Sequence, residues 1–525
     1  MPHSYPFSLR YHFRCSFSPP PFTMSFKPIM MQRLAAQEPQ SHRFKHAPVF
    51  HRNLEARLDE RRKANRMHVM NVPRKTVDFS SNDFLSLATS GLLKTEFLNE
   101  LERNPDFQVG QSGSRLMDGN TEYLENLEKE MADFFRADTC LIFNSGYDAN
   151  SAIFSVLPQL GDAILYDELV HASILDGLDR SRATIRKPFI HNDLNSLREM
   201  LLSLWKSEPH LAQGKGSVII AIESVYSMDG DVSPVGEILK IAQEVFPLGN
   251  TEIFLDEAHS TGLMGPLGRG MACELGIEKK IACRLHTFGK AMGCNGAIVL
   301  GSESIRNMLL NFATGLIFTA GPAFPFAACM RAAVNVLKDG KAEPMRAKLQ
   351  SNVRYFFRRL FSHPVWKQAR QANLLEIPVA ENYENRTLLT QIVPLWTQAR
   401  DNHHLASHLH LSDYKAFPVS YPVVPKGQGR IRLVFHAANT AKEIDTLIQI
   451  LCDWAQEMID SRTKQVPLSC TWAKIIQAGE VRKQKRLEEE AKQGSRDRKV
   501  SNLKNVLGPL IVESKTHQYV EKSLL

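Results

Sequence analysis

Between about residues 105 and 330 the chain alternates short apolar runs with helix-length segments, and that rhythm narrows the folds open to it. The runs are "TCLIFNSG", "DAILYDE", "SVIIAIES", "EIFLDEAH", "CRLHTFGK" and "GAIVLGS". They are short, rich in β-formers and apolar throughout, the pattern of strands covered on both faces. An α/β fold with a mostly parallel central sheet follows. Catalytic groups in such sheets gather at the carboxyl ends of the strands, and these runs end in Ser, Glu, Asp or Lys.

The rest of the chain is organised around that block. From about 340 to 460, helical segments alternate with "TQIVPLWT" and "GRIRLVFHA", which predicts a smaller C-terminal α+β domain. We therefore expect a leader (1–45), an N-terminal segment (46–105), a large domain (106–335), a small domain (336–460) and a basic charged tail (461–525). In the N-terminal segment, "FHRNLEARLDERRKANRM" (50–67) reads as a charged helix and "VDFSSNDFLSLA" as a short strand and turn. The leader is rich in Ser, Pro, Phe and Arg, a composition that suits either an organellar presequence or a disordered extension with Met24 as an alternative start. The terminal "SLL" only loosely resembles a peroxisomal tripeptide, so cytoplasm, mitochondrion and peroxisome all stay open.

The formal charge of +8 invites a nucleic-acid reading. Residues 1–37 hold four basic residues and no acid, and residues 461–525 hold fourteen basic against seven acidic ones. The two ends carry more positive charge than the whole chain, so the body between them is net negative and no nucleic-acid surface is expected on it. No apolar run approaches the ~18 to 20 residues of a membrane span. Eight cysteines without a CxxC pair argue against a zinc site and for a reducing compartment.

Five stretches carry chemistry. "FLDEAHSTGLMGPLGRG" (254–270) sets Asp256 at the end of an apolar strand, with His259 three residues on. Buried without a partner, Asp256 would cost several kcal/mol, so it caps a turn or faces a cation. "HTFGKAMG" (286–293) places Lys290 between glycines and after Thr287. "IFNSGYDAN" (142–150) is a strand-to-helix turn whose N–H groups suit a phosphate, and "YDELVHAS" offers His171 as an aromatic face. "ESVYSMDGD" adds Ser227. Singly, each has an ordinary reading: a loop lysine, a strand-end acid, a core histidine, an N-capping serine. Together they supply what pyridoxal 5'-phosphate requires, namely an amine, a carboxylate for the ring nitrogen, a partner for the ring oxygen and donors for the phosphate.

"FNSGYDAN", "VHAS", "ESVYSMDGD", "LDEAHSTGLMGPLGRG" and "HTFGKAMG" resemble, in type, order and spacing, the α-oxoamine synthases of the aspartate-aminotransferase-like fold (PLP fold type I), over roughly residues 50 to 455. The resemblance implies that Lys290 forms the Schiff base, Asp256 pairs with the pyridinium nitrogen and His259 contacts the ring phenolate. It further implies that His171 stacks on the ring, that Ser227, Thr287, Gly146 and Tyr147 contact the cofactor, and that Thr319 reaches the phosphate of a neighbouring subunit in a homodimer. In "VPKGQGRIRLVFHAANT", Arg432 is the position that would grip an amino acid carboxylate, with Asn82 near it. The implied reaction is a decarboxylative condensation of an amino acid with an acyl-CoA. "SSNDFLSLA", "SMDGD" and "TFGKA" are most similar to the branch that makes 8-amino-7-oxononanoate from L-alanine and pimeloyl-CoA in biotin biosynthesis. Two positions depart from that branch. Val423 in "YPVVP" replaces a substrate-contacting threonine, and His68 stands near an expected arginine that Arg66 could replace. The alternatives are 5-aminolevulinate synthase, 2-amino-3-ketobutyrate ligase, a sphingoid- or polyketide-type condensing enzyme, a plain aminotransferase, and a non-catalytic partner subunit, against which Lys290 stands.

Overall fold

The computed structural model describes residues 35–64, 67–70, 76–398 and 401–464. The leader up to residue 34, Met24, Arg66 and nearly all of the basic tail lie outside these residues. The described residues fall into two compact units, which divide between residues 70 and 76.

In the first unit the expected charged helix runs Val49–Lys63. Its two buried polar residues pair with each other: Arg62 Nη1 donates to Asp59 Oδ1 at 2.6 Å and to Glu55 Oε2 at 2.8 Å. Asp59 also accepts the N–H groups of Gln40 and Ser41 at the start of the turn Ser41–Phe44. That donor set holds its carboxyl well below the usual carboxylate range despite burial. His68 is exposed.

The second unit contains three sheets. Its strands are β1 (Val77–Asp78), β2 (Thr139–Phe143), β3 (Ala163–Asp167), β4 (Ile185–Phe189), β5 (Val218–Glu223), β6 (Thr251–Asp256), β7 (Cys283–Thr287) and β8 (Ala297–Gly301). They continue with β9 (Leu375–Glu376), β10 (Ile392–Thr397), β11 (Tyr414–Lys415), β12 (Phe417–Val419) and β13 (Arg430–Val434). Seven form the central sheet in the order β2-β8-β7-β6-β5-β3-β4. From β7 to β4 every pairing is parallel. The strand from "GAIVLGS", β8, runs antiparallel to both β7 and β2. Residues 288–296 are all that join β7 to β8, fewer than the dozen or so that a parallel crossover requires. That short connection carries Lys290.

Strand alternation decides what each face of the sheet meets. Leu141, Phe143, Ile219, Ala221, Phe254, Cys283, Leu285, Ala297 and Val299 share one core with Ala149, Ile153 and Phe154 of the helix Gly146–Val156 and Ile174 and Leu178 of the helix Ala172–Asp179. Continuing the same alternation to the carboxyl ends brings Glu223, Asp256 and Thr287 onto that face. The register agrees, since Glu223 pairs with Asp256 across β5 and β6.

The C-terminal strands form an antiparallel sheet, β12-β13-β10-β9, while β1 and β11 form a separate parallel pair. In β13 every residue is buried, and Arg432 sits opposite Pro394 of β10 and Phe417 of β12. This is the smaller α+β region that "TQIVPLWT" and "GRIRLVFHA" predict.

Candidate active site

A cavity of about 330 Å³ lies over the carboxyl ends of β5, β6 and β7, and Lys290, Asp256, His259, His171, Thr287, Gly146, Tyr147 and Asn82 all line it. One wall is the start of the helix Gly146–Val156. Ser145 caps it by accepting the N–H of Asp148 at 3.1 Å, while the N–H groups of Gly146 and Tyr147 sit in the first turn, where a helix has no internal acceptor for them. Glycine is required at 146: a Cβ there would lie 2.4 Å from Thr287 Cγ2. The helix N-terminus can therefore close down on β7 beside the lysine.

Asp256 is held by two donors, Asn150 Nδ2 on Oδ2 and the N–H of Ala258 on Oδ1, each at 2.8 Å. These fix its plane and leave further acceptor capacity toward the cavity. Lys290 makes no salt bridge among the described residues. Burial lowers its pKa from 10.5, opposed by the Asp256 and Glu223 carboxylates, so the amine loses its proton more readily than a surface lysine. The turn that presents it is tight, with Gly293 N–H on the Lys290 carbonyl at 2.9 Å and Cys294 N–H on the Phe288 carbonyl at 3.0 Å.

Both histidines are disfavoured as cations. Burial, then the positive charges of Lys290 and Arg432, push His259 well below its usual range, and its Nδ1 is buried without a hydrogen-bond partner among the described residues. Burial lowers His171 as well, against the Asp256 carboxylate. His171 Nδ1 accepts the N–H of Ser173 at 3.2 Å, which leaves the ring proton on Nε2.

Several lining residues were not anticipated: Asn144, Asn150, Ser173, Glu223, Asn295 and Phe326. Glu223 is 3% exposed and accepts the His171 N–H at 2.6 Å. Burial and the neighbouring Asp256 push its pKa well up. Its place at the end of "VIIAIE" was a usable signal, being the same strand-end position that singled out Asp256.

Four anticipated residues stand apart from the cavity lining. Arg432 is reached through Asn82: its Nη2 donates to Asn82 Oδ1 at 3.1 Å and its Nε to the Ser227 carbonyl at 2.5 Å. Ser227 thus contributes a main-chain acceptor. Thr319 is exposed, on the segment after the helix Thr314–Ile317. Val423 is 62% exposed, its N–H on the Ser420 carbonyl.

The donor set suits pyridoxal phosphate. A glycine-lined helix start faces the cavity, a fixed carboxylate stands opposite an amine with no ion pair, and a buried imidazole nitrogen lacks a partner. Such a site on a mostly parallel sheet defines a fold type I pyridoxal-phosphate enzyme. Residues 74–451 match the family described as aminotransferase class I and II. The aminoacyl transferase sphA of Aspergillus fumigatus is 46% identical over 82% of this chain and 93% of its own length. The 8-amino-7-oxononanoate synthase of Emericella nidulans is 42% identical over 74% and 91%. Among solved structures, serine palmitoyltransferase of S. paucimobilis, with a bound PLP–myriocin aldimine, superposes with a TM-score of 0.61 at 24% identity, covering 73% of this chain and 87% of that one. The chain belongs to the class I and II aminotransferase family and, within it, to the α-oxoamine synthases, which are pyridoxal-phosphate-dependent acyltransferases.

Proposed function

We propose that this chain condenses a small amino acid, L-alanine, with an acyl-CoA, pimeloyl-CoA, releasing CoA and CO2 and forming 8-amino-7-oxononanoate for biotin biosynthesis. The observation that carries the reading is the meeting of Lys290, free of any salt bridge, with the doubly held Asp256 and the unpartnered His259 Nδ1. Pyridoxal phosphate, when bound, supplies the electron sink that lets an amino acid lose its α-proton. Lys290 Nζ, whose pKa burial lowers, is the base that takes the proton. Asp256 keeps a positive ring nitrogen in place, and Asn150 stops that carboxylate from turning away. His259 binds the ring oxygen, and His171 covers the ring face with a neutral imidazole. Gly146, Tyr147 and Thr287 serve the phosphate end, with Thr319 acting from the second subunit of a homodimer, while Ser227 acts through its carbonyl on Arg432.

Arg432 grips the amino acid carboxylate, assisted by Asn82. Burial lowers the guanidinium pKa to about 10, a strain that an incoming carboxylate relieves. Val423 would face the acyl group. Lacking the hydroxyl of the 8-amino-7-oxononanoate branch, it favours a second reading, in which the same chemistry serves a longer, uncharged acyl chain. The similarity to an 8-amino-7-oxononanoate synthase supports the first reading.

Free-CoA release over a grid of L-alanine, glycine and L-serine against pimeloyl-CoA and palmitoyl-CoA tests both. Turnover with L-alanine and pimeloyl-CoA alone establishes the first. Turnover only with the longer chain establishes the second, and none anywhere removes both.

A further inference from the structure

One loop away from the Lys290 cavity, His191 joins two carboxylates. Its Nδ1 lies 2.8 Å from Asp167 Oδ1 and its Nε2 2.6 Å from Asp231 Oδ2. Asp167 is fully buried at the end of β3 and also accepts the N–H groups of Leu169 at 2.9 Å and Asn192 at 2.8 Å, so it cannot move to follow the ring. Asn192 Nδ2 donates to the same Asp231 oxygen at 2.6 Å. The His191 ring stands edge-on to Tyr226, centroids 4.5 Å apart at 89°. Nothing in the chemistry assigned to the cavity uses this arrangement.

Its reach is through the loop that follows β5. Tyr226 and Asp231 close that loop on itself, with Tyr226 N–H on the Asp231 carbonyl at 3.1 Å and Gly230 N–H on the Tyr226 carbonyl at 2.8 Å. The loop lies flat on β10: Thr390 Oγ1 donates to the Gly230 carbonyl at 2.5 Å, and a Cβ at Gly230, whose φ is +67°, would strike the Ile392 carbonyl oxygen at 2.1 Å. Between its pinned ends the loop presents two groups to β13. Asp229 pairs with Arg430, and the Ser227 carbonyl takes Arg432 Nε.

That second contact sets the direction of the Arg432 fork. With Nε spent on Ser227 and one Nη2 hydrogen on Asn82, the guanidinium cannot spin about its long axis, and the hydrogens left to it point one way. A carboxylate is held bidentately only by a fork so oriented.

We propose that His191 is a positioning residue for amino acid capture: bridging Asp167 to Asp231, it holds the 226–231 loop so that the Ser227 carbonyl aims Arg432 at the substrate carboxylate. The role rests on the reading of Arg432 as the carboxylate grip. His191 touches neither substrate nor cofactor. Its contribution belongs to binding, because it acts only through the Arg432 fork, whose partner is the substrate carboxylate.

The test uses full-length holoenzyme and an equilibrium titration that needs no acyl substrate: the absorbance change of the bound cofactor on adding L-alanine, with glycine and L-serine in parallel. His191→Leu raises the half-saturating concentration by about 10- to 100-fold, the range for misplacement from a distance. His191→Gln, which keeps an N–H donor, recovers much of that loss. In an Arg432→Lys background, where the fork is absent, His191→Leu adds nothing further. A thermal midpoint for each variant separates misfolding from misplacement, and His191→Gln stands in if His191→Leu does not fold.

Unchanged half-saturation in both His191 variants overturns the proposal, as does an undiminished extra loss in the Arg432→Lys background, since His191 would then act by another route. If Arg432→Lys itself leaves half-saturation unaltered, the carboxylate grip is wrong and the positioning role falls with it. If Arg432→Lys weakens binding and His191→Leu does not, only the positioning role falls.

Discussion

Asp256 and Glu257 are consecutive carboxylates, both buried, yet they serve opposite faces of the sheet. Asp256 turns toward the helix Gly146–Val156, bonds Asn150 and opens on the cavity. Glu257 turns the other way, where it accepts the N–H groups of Met271 and Ala272 and the Ser260 hydroxyl and faces His286 Nε2 at 3.8 Å. On that back face His286 also meets Thr261 Oγ1 at 2.9 Å, and Arg284 donates to the Phe135 carbonyl at 2.9 Å. The back cluster spends its polar groups largely on the chain itself, although His286 Nε2, like His259 Nδ1, has no hydrogen-bond partner among the described residues. The front cluster keeps an amine without an ion pair and an imidazole nitrogen without a partner. Burial of polar groups is therefore a poor guide to function in this molecule; what separates the clusters is that the unspent groups at the front open on the cavity, while His286 Nε2 is sealed beside Glu257.

The sharpest way to break this contrast is at Lys290. Lys290→Ala should lower turnover by about 10³-fold or more, while the thermal midpoint of the apoprotein holds or rises, because a buried amine without an ion pair does not stabilise the fold. A large drop in midpoint would mean that the front cluster is structural after all. The neighbouring acids come next. Asp256→Asn should cost about 10² to 10³ in kcat, comparable with removing one aligned electrostatic group, with little change in unfolding. Glu257→Gln should do the reverse, losing about 1 to 3 kcal/mol in denaturant unfolding by leaving buried N–H groups poorly matched, while the folded fraction turns over normally. Equal kinetic effects from the two would erase the difference between the faces.

A smaller effect reads the loop behind the cavity. Burial opposes a charge on His191, but the Asp167 and Asp231 carboxylates outweigh it and raise the pKa to about 10. A raised folded-state value means that the native state binds the extra proton. The stability from His191 is therefore fully present below pH 6.5 and is lost as pH rises toward about 10. The stability gap between wild type and His191→Leu should narrow over that window in denaturant titrations, and a constant gap would show an uncharged ring. The smallest effect lies at the exposed Val423. Val423→Thr should change relative use of the two acyl thioesters by less than about tenfold, below the scale of one small group in a closed pocket because the side chain is exposed, and leave L-alanine binding unaltered. A change in L-alanine binding there would join two sites that the present reading keeps apart.

Much of the cavity was legible because its residues sit where strands end. Asp256 closes β6, Thr287 closes β7, Lys290 lies in the turn just beyond, and Gly146 opens a helix. Each follows an apolar run that only a strand explains. β4 was not legible: "IRKPF" is an edge strand with three exposed residues, so it lacks the apolar continuity that marks its neighbours. Asn150 and Ser173 went unread for a different reason. They lie inside helices, where a polar residue usually faces water, and only the packing of those helices on the sheet turns them inward.

By itself, the order of strand ends determined the α/β class, the meeting of Lys290 with Asp256 and His259, and the family those residues resemble, because strand alternation and parallel register bring such ends together whatever lies elsewhere. Tertiary structure alone decided which buried polar groups keep unspent bonding capacity, that β8 runs antiparallel, and that Arg432 Nε bonds the Ser227 carbonyl just beyond the end of β5. Those outcomes depend on contacts between Arg432 and Ser227 and between Asp256 and Asn150, residues far apart in the chain, and no local pattern of residues encodes the distance between them.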